Sequence, residues 1–142
     1  MIFESFSEKE TFDFAKSLAE KSKKGDVYAL IGDLGVGKTA FTKGFAKGLS
    51  IDEPVVSPTF TFVQVYDDGI MPLYHFDVYR IGDPSEMEEI GYEDYFYGDG
   101  VSLMEWADLV EDILPEDAYR ITISKDLSKG LEYRRIQVDG LE

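Results

Sequence analysis

The sequence of 142 residues contains no cysteine, which excludes disulfide bonds, thiolate zinc sites and iron–sulfur clusters. No stretch approaches the roughly 20 apolar residues of a membrane-spanning helix, and the first residues lack the basic and apolar segments of a secretory signal. We therefore expect a cytoplasmic protein without membrane contact. A hydrophobic content of 44% excludes a disordered chain, and the length favours a single domain over residues 1–142.

Basic residues are scarce, and the formal net charge is −15. Between Asp67 and Asp117, sixteen acidic residues are opposed by a single base, Arg80. We expect Arg80 to form a specific ion pair, with Asp77, another carboxylate or phosphate as the possible partner. Nucleic-acid-binding proteins neutralise phosphates with clustered Lys and Arg. We therefore expect this surface to repel DNA and RNA except locally, with no direct binding of DNA. The charge favours basic protein surfaces as partners, and acidity that only keeps the protein in solution is the alternative.

One segment matches the complete P-loop pattern G-x-x-x-x-G-K-[ST]. Its residues are Gly32, Asp33, Leu34, Gly35, Val36, Gly37, Lys38 and Thr39. The glycines allow a tight turn whose amides point at phosphate oxygens, while Lys38 reaches the β- and γ-phosphates and the Thr39 hydroxyl ligates Mg²⁺. A predicted strand over 27–31 precedes the pattern and a predicted helix over 38–49 follows it, which is the setting that the motif requires. The pattern predicts a nucleoside triphosphate site rather than an ordinary Gly-rich turn.

The remaining elements predict an α/β protein of the P-loop NTPase fold. Two hairpin signals, with strands over 61–66 and 71–79 and over 119–124 and 131–138, imply a mixed sheet with helices on both faces. A short apolar strand is expected over 101–105.

A helix is predicted near the N-terminus. Ser7 and Glu10 form a capping box that opens this helix, which extends to about Lys23. Its predicted apolar face consists of Phe12, Ala15, Leu18 and Ala19.

Two apolar runs end in a carboxylate that suits a magnesium site, one at Asp77 and the other at Glu105. The residues alone leave the choice between them open. Thr59 or Thr61, in the segment after the P-loop helix, has a hydroxyl suited to the γ-phosphate, although an ordinary loop would read the same way. His75, the only histidine, reads by itself as a core residue.

Guanine specificity normally requires an N-K-x-D segment, which the chain lacks, so ATP is favoured over GTP. A small-molecule kinase would need a lid with several arginines, and the chain has four in all. Such a kinase is one alternative to an ATPase, and a nucleotide-gated binding module is another.

Four segments in this order and spacing resemble the bacterial TsaE (YjeE) ATPases, which act in making N6-threonylcarbamoyladenosine at position 37 of tRNA. The segments are 32–39, Ser57-Pro58-Thr59-Phe60, His75-Phe76-Asp77-Val78-Tyr79-Arg80 and Met104-Glu105-Trp106. The resemblance covers nearly the whole chain. It implies a Mg²⁺-dependent ATPase that supports a complex of TsaB and TsaD. Together with the acidic charge, it implies that tRNA is contacted only through that complex.

The resemblance also implies roles for individual residues. Thr39 and Glu105 correspond to Mg²⁺ ligands, and Asp77 to a residue implicated in hydrolysis. The remaining correspondences are to nucleotide contacts, namely Trp106 near the nucleotide, Arg134 in the C-terminal hairpin and Thr11 at the adenine.

Overall fold

The computed structural model describes residues 1–32, 38–56, 58 and 62–140. Within these ranges the strands are β1 (Ile2–Ser5), β2 (Val27–Ile31), β3 (Val63–Tyr66), β4 (Leu73–Asp77), β5 (Val101–Glu105), β6 (Tyr119–Ser124) and β7 (Arg134–Asp139). They form one sheet in the order β1-β7-β6-β2-β5-β4-β3. The central strands β6, β2, β5 and β4 are parallel, whereas β1, β7 and β3 pair with antiparallel neighbours. The predicted mixed sheet is confirmed.

The helices in the described ranges are α1 (Glu8–Glu20), α2 (Lys38–Gly48), α3 (Glu86–Glu89) and α4 (Tyr92–Phe96), with 3₁₀ segments at Ala107–Ile113 and Leu127–Lys129. Capping hydrogen bonds define the start of α1, as the sequence predicts. Ser7 Oγ accepts a hydrogen bond from the Glu10 amide at 3.1 Å, and Glu10 Oε1 accepts one from the Phe6 amide at 3.0 Å. The reciprocal bond therefore reaches one residue further back than a capping box predicts.

The two faces of the sheet carry different helices. Tyr28 and Leu30 of β2 pack in a core with α1 and α2, whereas Val27 and Ala29 pack in a second core with α3, α4 and the 3₁₀ segment after β5. This alternation follows from the two-residue period of a strand. Helices on both faces are therefore confirmed.

Helix α1 differs from its prediction in length and in face. It ends at Glu20 rather than near Lys23, and its core contact comes from Phe14 where the pattern favoured Phe12. Phe12 is half-buried instead. The pattern gave no means to distinguish two phenylalanines two positions apart, since the choice depends on how α1 lies on α2.

Two glycines of α2 allow the backbones of α1 and α2 to approach each other closely. A Cβ atom at Gly44 would overlap the backbone oxygen of Phe12, and one at Gly48 would overlap that of Lys16. Two helices whose backbones approach this closely leave no room for a side chain between them. Gly44 therefore fixes where Phe12 lies relative to α2.

Three further observations complete the fold. The edge strand β1 was not predicted, because its four residues are too few to show a strand period. Arg80 is exposed and forms no ion pair with Asp77 or any other described carboxylate, and its pairing with phosphate stays a prediction. In the part of the chain that the structure describes, no helix is long and apolar enough to span a membrane. The single domain and the cytoplasmic location remain predictions.

Candidate functional site

A cleft of about 670 Å³ opens beside the carboxyl ends of the parallel strands, the edge of an α/β sheet where ligands bind. The predicted site residues within the described ranges line this cleft, with Gly32 as the exception. They are Thr11, Lys38, Thr39, Asp77, Glu105, Trp106 and Arg134. Residues from five separate elements and the turn after β5 thus converge on one space.

Lys38 is buried at the start of α2 although it carries a charge. Its Nζ atom donates a hydrogen bond to the Gly32 backbone oxygen at 2.7 Å and lies 3.4 Å from the centroid of the Trp106 ring. A carbonyl oxygen and an aromatic face both stabilise an ammonium group. These contacts hold the charge of Lys38 at the cleft.

Thr39 occupies the first turn of α2 and is exposed to the cleft. That turn contains no acidic residue, so the positive end of the helix dipole is not neutralised within it. Amide groups and a positive dipole at a helix N-terminus favour anions. The start of α2 is therefore suited to phosphate.

Asp77 and Glu105 end two neighbouring strands and are directly opposite each other in the register of β4 and β5. Strand β5 also pairs with β2, where Leu30 is opposite Glu105. The two candidate acids thus lie side by side at one edge of the sheet. Glu105 is the nearer to the strand that leads into the P-loop.

The pKa of Asp77 is raised above its ordinary value. Partial burial contributes most to the increase, and the carboxylate of Glu105 adds to it. The Tyr79 amide, which donates to Asp77 Oδ1 at 3.1 Å, opposes it, as do His75 and Lys38. Asp77 is therefore a carboxylate with a stronger affinity for protons than an exposed aspartate has.

Glu105 is buried and paired. Its Oε2 atom lies 2.6 Å from Nε2 of His75, which is itself buried. Nδ1 of the same imidazole has no hydrogen-bond partner among the described residues. The imidazole is therefore engaged through one nitrogen only, and its partner is the predicted metal ligand.

Trp106 has a left-handed backbone, with φ 62° and ψ 31°. A residue with a large side chain rarely adopts this conformation, and it often marks a functional site. The turn allows the indole to lie over Lys38 and to pack against Tyr79, at 4.7 Å between ring centroids. Trp106 thus packs against the second core of the sheet and also forms part of the cleft wall.

Thr11 and Arg134 close other sides of the cleft. The Thr11 hydroxyl is buried and lies 2.7 Å from the Ser5 hydroxyl, so it is already hydrogen-bonded. Arg134, at the start of β7, donates from Nη1 to the backbone oxygens of Leu131 and Tyr133. Both residues line the cleft, and their contacts with a nucleotide stay predictions.

Six residues that line the cleft were not among the predicted site residues, namely Glu8, Lys9, Phe12, Ala40, Lys43 and Glu132. Phe12 is an apolar residue left out of the core, and Lys43 lies one helical turn beyond Thr39 on α2. The four-residue spacing from Thr39 was the signal that points to Lys43. For Phe12 the sequence gave no such signal.

Several predicted residues lie outside the described part of the chain, and their places stay predictions. They are Asp33, Leu34, Gly35, Val36, Gly37, Thr59 and Thr61.

The parallel central strands, the motif-bearing helix α2 and the two strand-end acids define a P-loop NTPase fold. The family described as "Threonylcarbamoyl adenosine biosynthesis protein TsaE" matches residues 5–136. A Bacillus subtilis protein named tRNA threonylcarbamoyladenosine biosynthesis protein TsaE is 53% identical over 116 residues, which are 82% of this chain and 72% of that protein. The Haemophilus influenzae protein of the same name is 42% identical over 72% of this chain and 68% of its own length.

A solved structure is also similar. The crystal structure of Bacillus subtilis YdiB matches with a TM-score of 0.78 and 42% identity, and the match covers 96% of this chain and 82% of the other. The chain belongs to the TsaE family.

Proposed function

We propose that this protein is a Mg²⁺-dependent ATPase that serves the formation of N6-threonylcarbamoyladenosine in tRNA. The observation that carries the proposal is the convergence of Lys38, Thr39, Asp77 and Glu105 on one cleft at the carboxyl edge of the sheet. A cation, a hydroxyl and two carboxylates are the groups that P-loop enzymes use around a nucleotide. The cleft volume of about 670 Å³ is in the range of small-molecule sites.

The side chains present fit a magnesium ion. Mg²⁺ prefers oxygen ligands and uses one or two protein groups beside the phosphates. Thr39 and Glu105 would hold it, because Glu105 ends the strand that pairs directly with β2. In the described residues no group of three or more acidic or histidine side chains is suited to hold a metal unaided, so the phosphates themselves would complete the coordination. The ion would supply charge stabilisation at the phosphates.

Asp77 is the residue that we assign to the hydrolytic step. It lies one strand further from β2 than Glu105 and has a raised pKa. Such a carboxylate can accept a proton from an attacking water, or hold that water by a hydrogen bond. Lys38 would move from the Gly32 carbonyl to the phosphates and neutralise their charge.

ATP is the proposed nucleotide, since the chain lacks the N-K-x-D segment of guanine-specific enzymes. A small-molecule kinase is the second enzymatic possibility, and a nucleotide-gated binding module is the non-enzymatic one. Labelled γ-phosphate separates the first two, because an ATPase releases free phosphate whereas a kinase transfers the label to an acceptor.

The partners that we propose are TsaB and TsaD. The relatives above are named for tRNA threonylcarbamoyladenosine biosynthesis, and a chain with a net charge of −15 is better suited to basic protein surface than to tRNA. Measuring the rate of ATP hydrolysis with and without the TsaB–TsaD complex tests this. The proposal expects faster hydrolysis with the complex, and an unchanged rate together with no binding of the complex would contradict it.

Binding of tRNA gives an independent test. Non-specific affinity depends on the number of cations that displace counterions, and the acidic stretch 67–117 contains one base. We expect no gel shift of tRNA by the isolated protein at physiological salt. Micromolar binding that weakens steeply with salt would instead reveal a basic surface and remove the physical argument for docking through partners.

A further inference from the structure

His75 occupies a place where an apolar residue would be expected. On β4, the side chains that face α1 and α2 alternate with those of the opposite core, and Leu73 on this face is fully buried in the core. His75 follows two residues later and is only 1% exposed. Burying an imidazole in this way requires a compensating hydrogen bond.

That hydrogen bond goes to Glu105. His75 is opposite Leu103 in the register of β4 and β5, so Glu105 lies two residues further along the neighbouring strand on the same face. The separation of 2.6 Å between Nε2 and Oε2 is that of a strong hydrogen bond to a carboxylate. Because Nδ1 has no partner among the described residues, the tautomer with hydrogen on Nε2 satisfies this contact, and Nε2 donates.

The contact limits the freedom of the carboxylate. An exposed glutamate samples several rotamers, and ordering it for a metal is unfavourable in entropy. Glu105 is buried with one oxygen held by His75, while no described residue is hydrogen-bonded to its other oxygen. Groups that orient a metal-ligating side chain in this way typically affect metal affinity by about 10–100-fold.

We propose that His75 is a positioning residue that holds Glu105 in the orientation needed to bind the metal ion of the nucleotide complex. The inference rests on the proposed function, since it requires that Glu105 binds a metal. His75 touches neither nucleotide nor metal in this account, and it acts only through Glu105.

The experiment uses the full chain and follows Mn²⁺ binding by electron paramagnetic resonance in the presence of a non-hydrolysable ATP analogue. His75→Leu removes the donor, and we expect Mn²⁺ affinity to fall at least about tenfold, with analogue affinity in EDTA unchanged. His75→Gln is the matched control because its Nε2 is as many bonds from the backbone as the imidazole Nε2, so it should restore affinity. His75→Asn is one bond shorter and should not.

A double-mutant cycle separates positioning from a structural role. In the Glu105→Ala background, His75→Leu should cause no further loss of Mn²⁺ affinity, because the group on which it acts is gone. An equal loss in both backgrounds, or unchanged affinity of His75→Leu in the parent, would overturn the inference. If a thermal melt shows that His75→Leu does not fold, the comparison of His75→Gln with His75→Asn tests the same point, because only the Gln side chain can reach Glu105.

The behaviour of the parent protein distinguishes failure of the proposed metal site from failure of the role of His75 alone. If the parent protein binds the analogue equally well with and without metal, the proposed metal site is wrong and the role of His75 is wrong with it. If the parent depends on metal and the three His75 variants equal it, only the role of His75 is wrong.

Discussion

The face of the sheet that α1 and α2 cover is apolar at one end and polar at the other. On β5, Val101 and Leu103 are fully buried in the core, and the next residue on that face is Glu105. On β4, Leu73 is likewise buried, and Asp77 ends the same row. Side chains of the same two rows therefore pack the core at the amino end and line the candidate site at the carboxyl end. Substitutions at the amino end should mainly affect stability, and substitutions at the carboxyl end should mainly affect nucleotide binding and hydrolysis.

The largest expected effect is on stability, at the contact between α1 and α2 that covers this face of the sheet. Gly44→Ala would place a methyl group against the Phe12 backbone oxygen, where neither helix can yield without moving. We expect the free energy of unfolding to fall by about 3 kcal/mol, the upper part of the range for overpacking. Denaturant unfolding followed by circular dichroism measures it.

Lys47→Ala is the control for that change, since Lys47 lies on the exposed side of the same helix and forms only an exposed ion pair with Asp52. Its effect should stay within about 0.5 kcal/mol. If Gly44→Ala were as mild as the control, α1 and α2 would not be in the close contact described here.

At the polar end we expect large effects on chemistry. Asp77→Ala should leave ATP binding intact and reduce the hydrolysis rate about 100-fold, a typical loss for a general base or water-orienting group. Glu105→Ala should instead weaken the Mg²⁺-dependent part of nucleotide binding. Calorimetry with and without Mg²⁺ and a phosphate-release assay measure the two quantities. The opposite pattern would exchange the roles of the two acids.

The charge of Asp77, at the polar end, is expected to have a smaller effect, on thermal stability. Burial and Glu105 raise the pKa of Asp77 in the folded protein, so the ionised carboxylate is less favourable there than in the unfolded chain. Asp77→Asn keeps an acceptor for the Tyr79 amide and removes the charge. At pH 7, without nucleotide and in EDTA, the variant should melt about 1–2 °C higher than the parent.

The pH dependence of that difference has a defined sign. Below about pH 4, the range of an unfolded aspartate, the parent side chain is neutral in both states and the two melting temperatures should converge. They should separate as pH rises through the higher pKa of the folded state. A variant that melts lower at pH 7 would show that the ionised Asp77 stabilises the fold.

The sequence predicted the elements whose signal is local. The strands β2 and β5 were predicted with their observed bounds, and the start of α1 follows from Ser7 and Glu10. The short edge strand β1 was missed because its pairing with β7 joins residues far apart in the chain. Register between distant strands is not encoded in any local period.

Pairing between distant strands also limited the prediction of the candidate site. Lys38 and Thr39 were found from a local motif, whereas the pattern left Asp77 and Glu105 as equal candidates for the metal. The pairing of β5 with β2 places Glu105 nearer the P-loop strand, and the sequence cannot show this. The bond of His75 to Glu105 likewise depends on the pairing of β4 with β5, so the only histidine read as an ordinary core residue.

The most direct test of the proposed nucleotide site is a calorimetric titration of Lys38→Ala with ATP and Mg²⁺. Removing a hydrogen-bonding cation from a phosphate site weakens the free energy of binding by about 2–3 kcal/mol. We therefore expect ATP to bind the variant roughly 100-fold more weakly than the parent. Lys47→Ala, on the same helix, should bind as the parent does. Near-normal ATP binding by Lys38→Ala would contradict the assignment of the cleft as the nucleotide site.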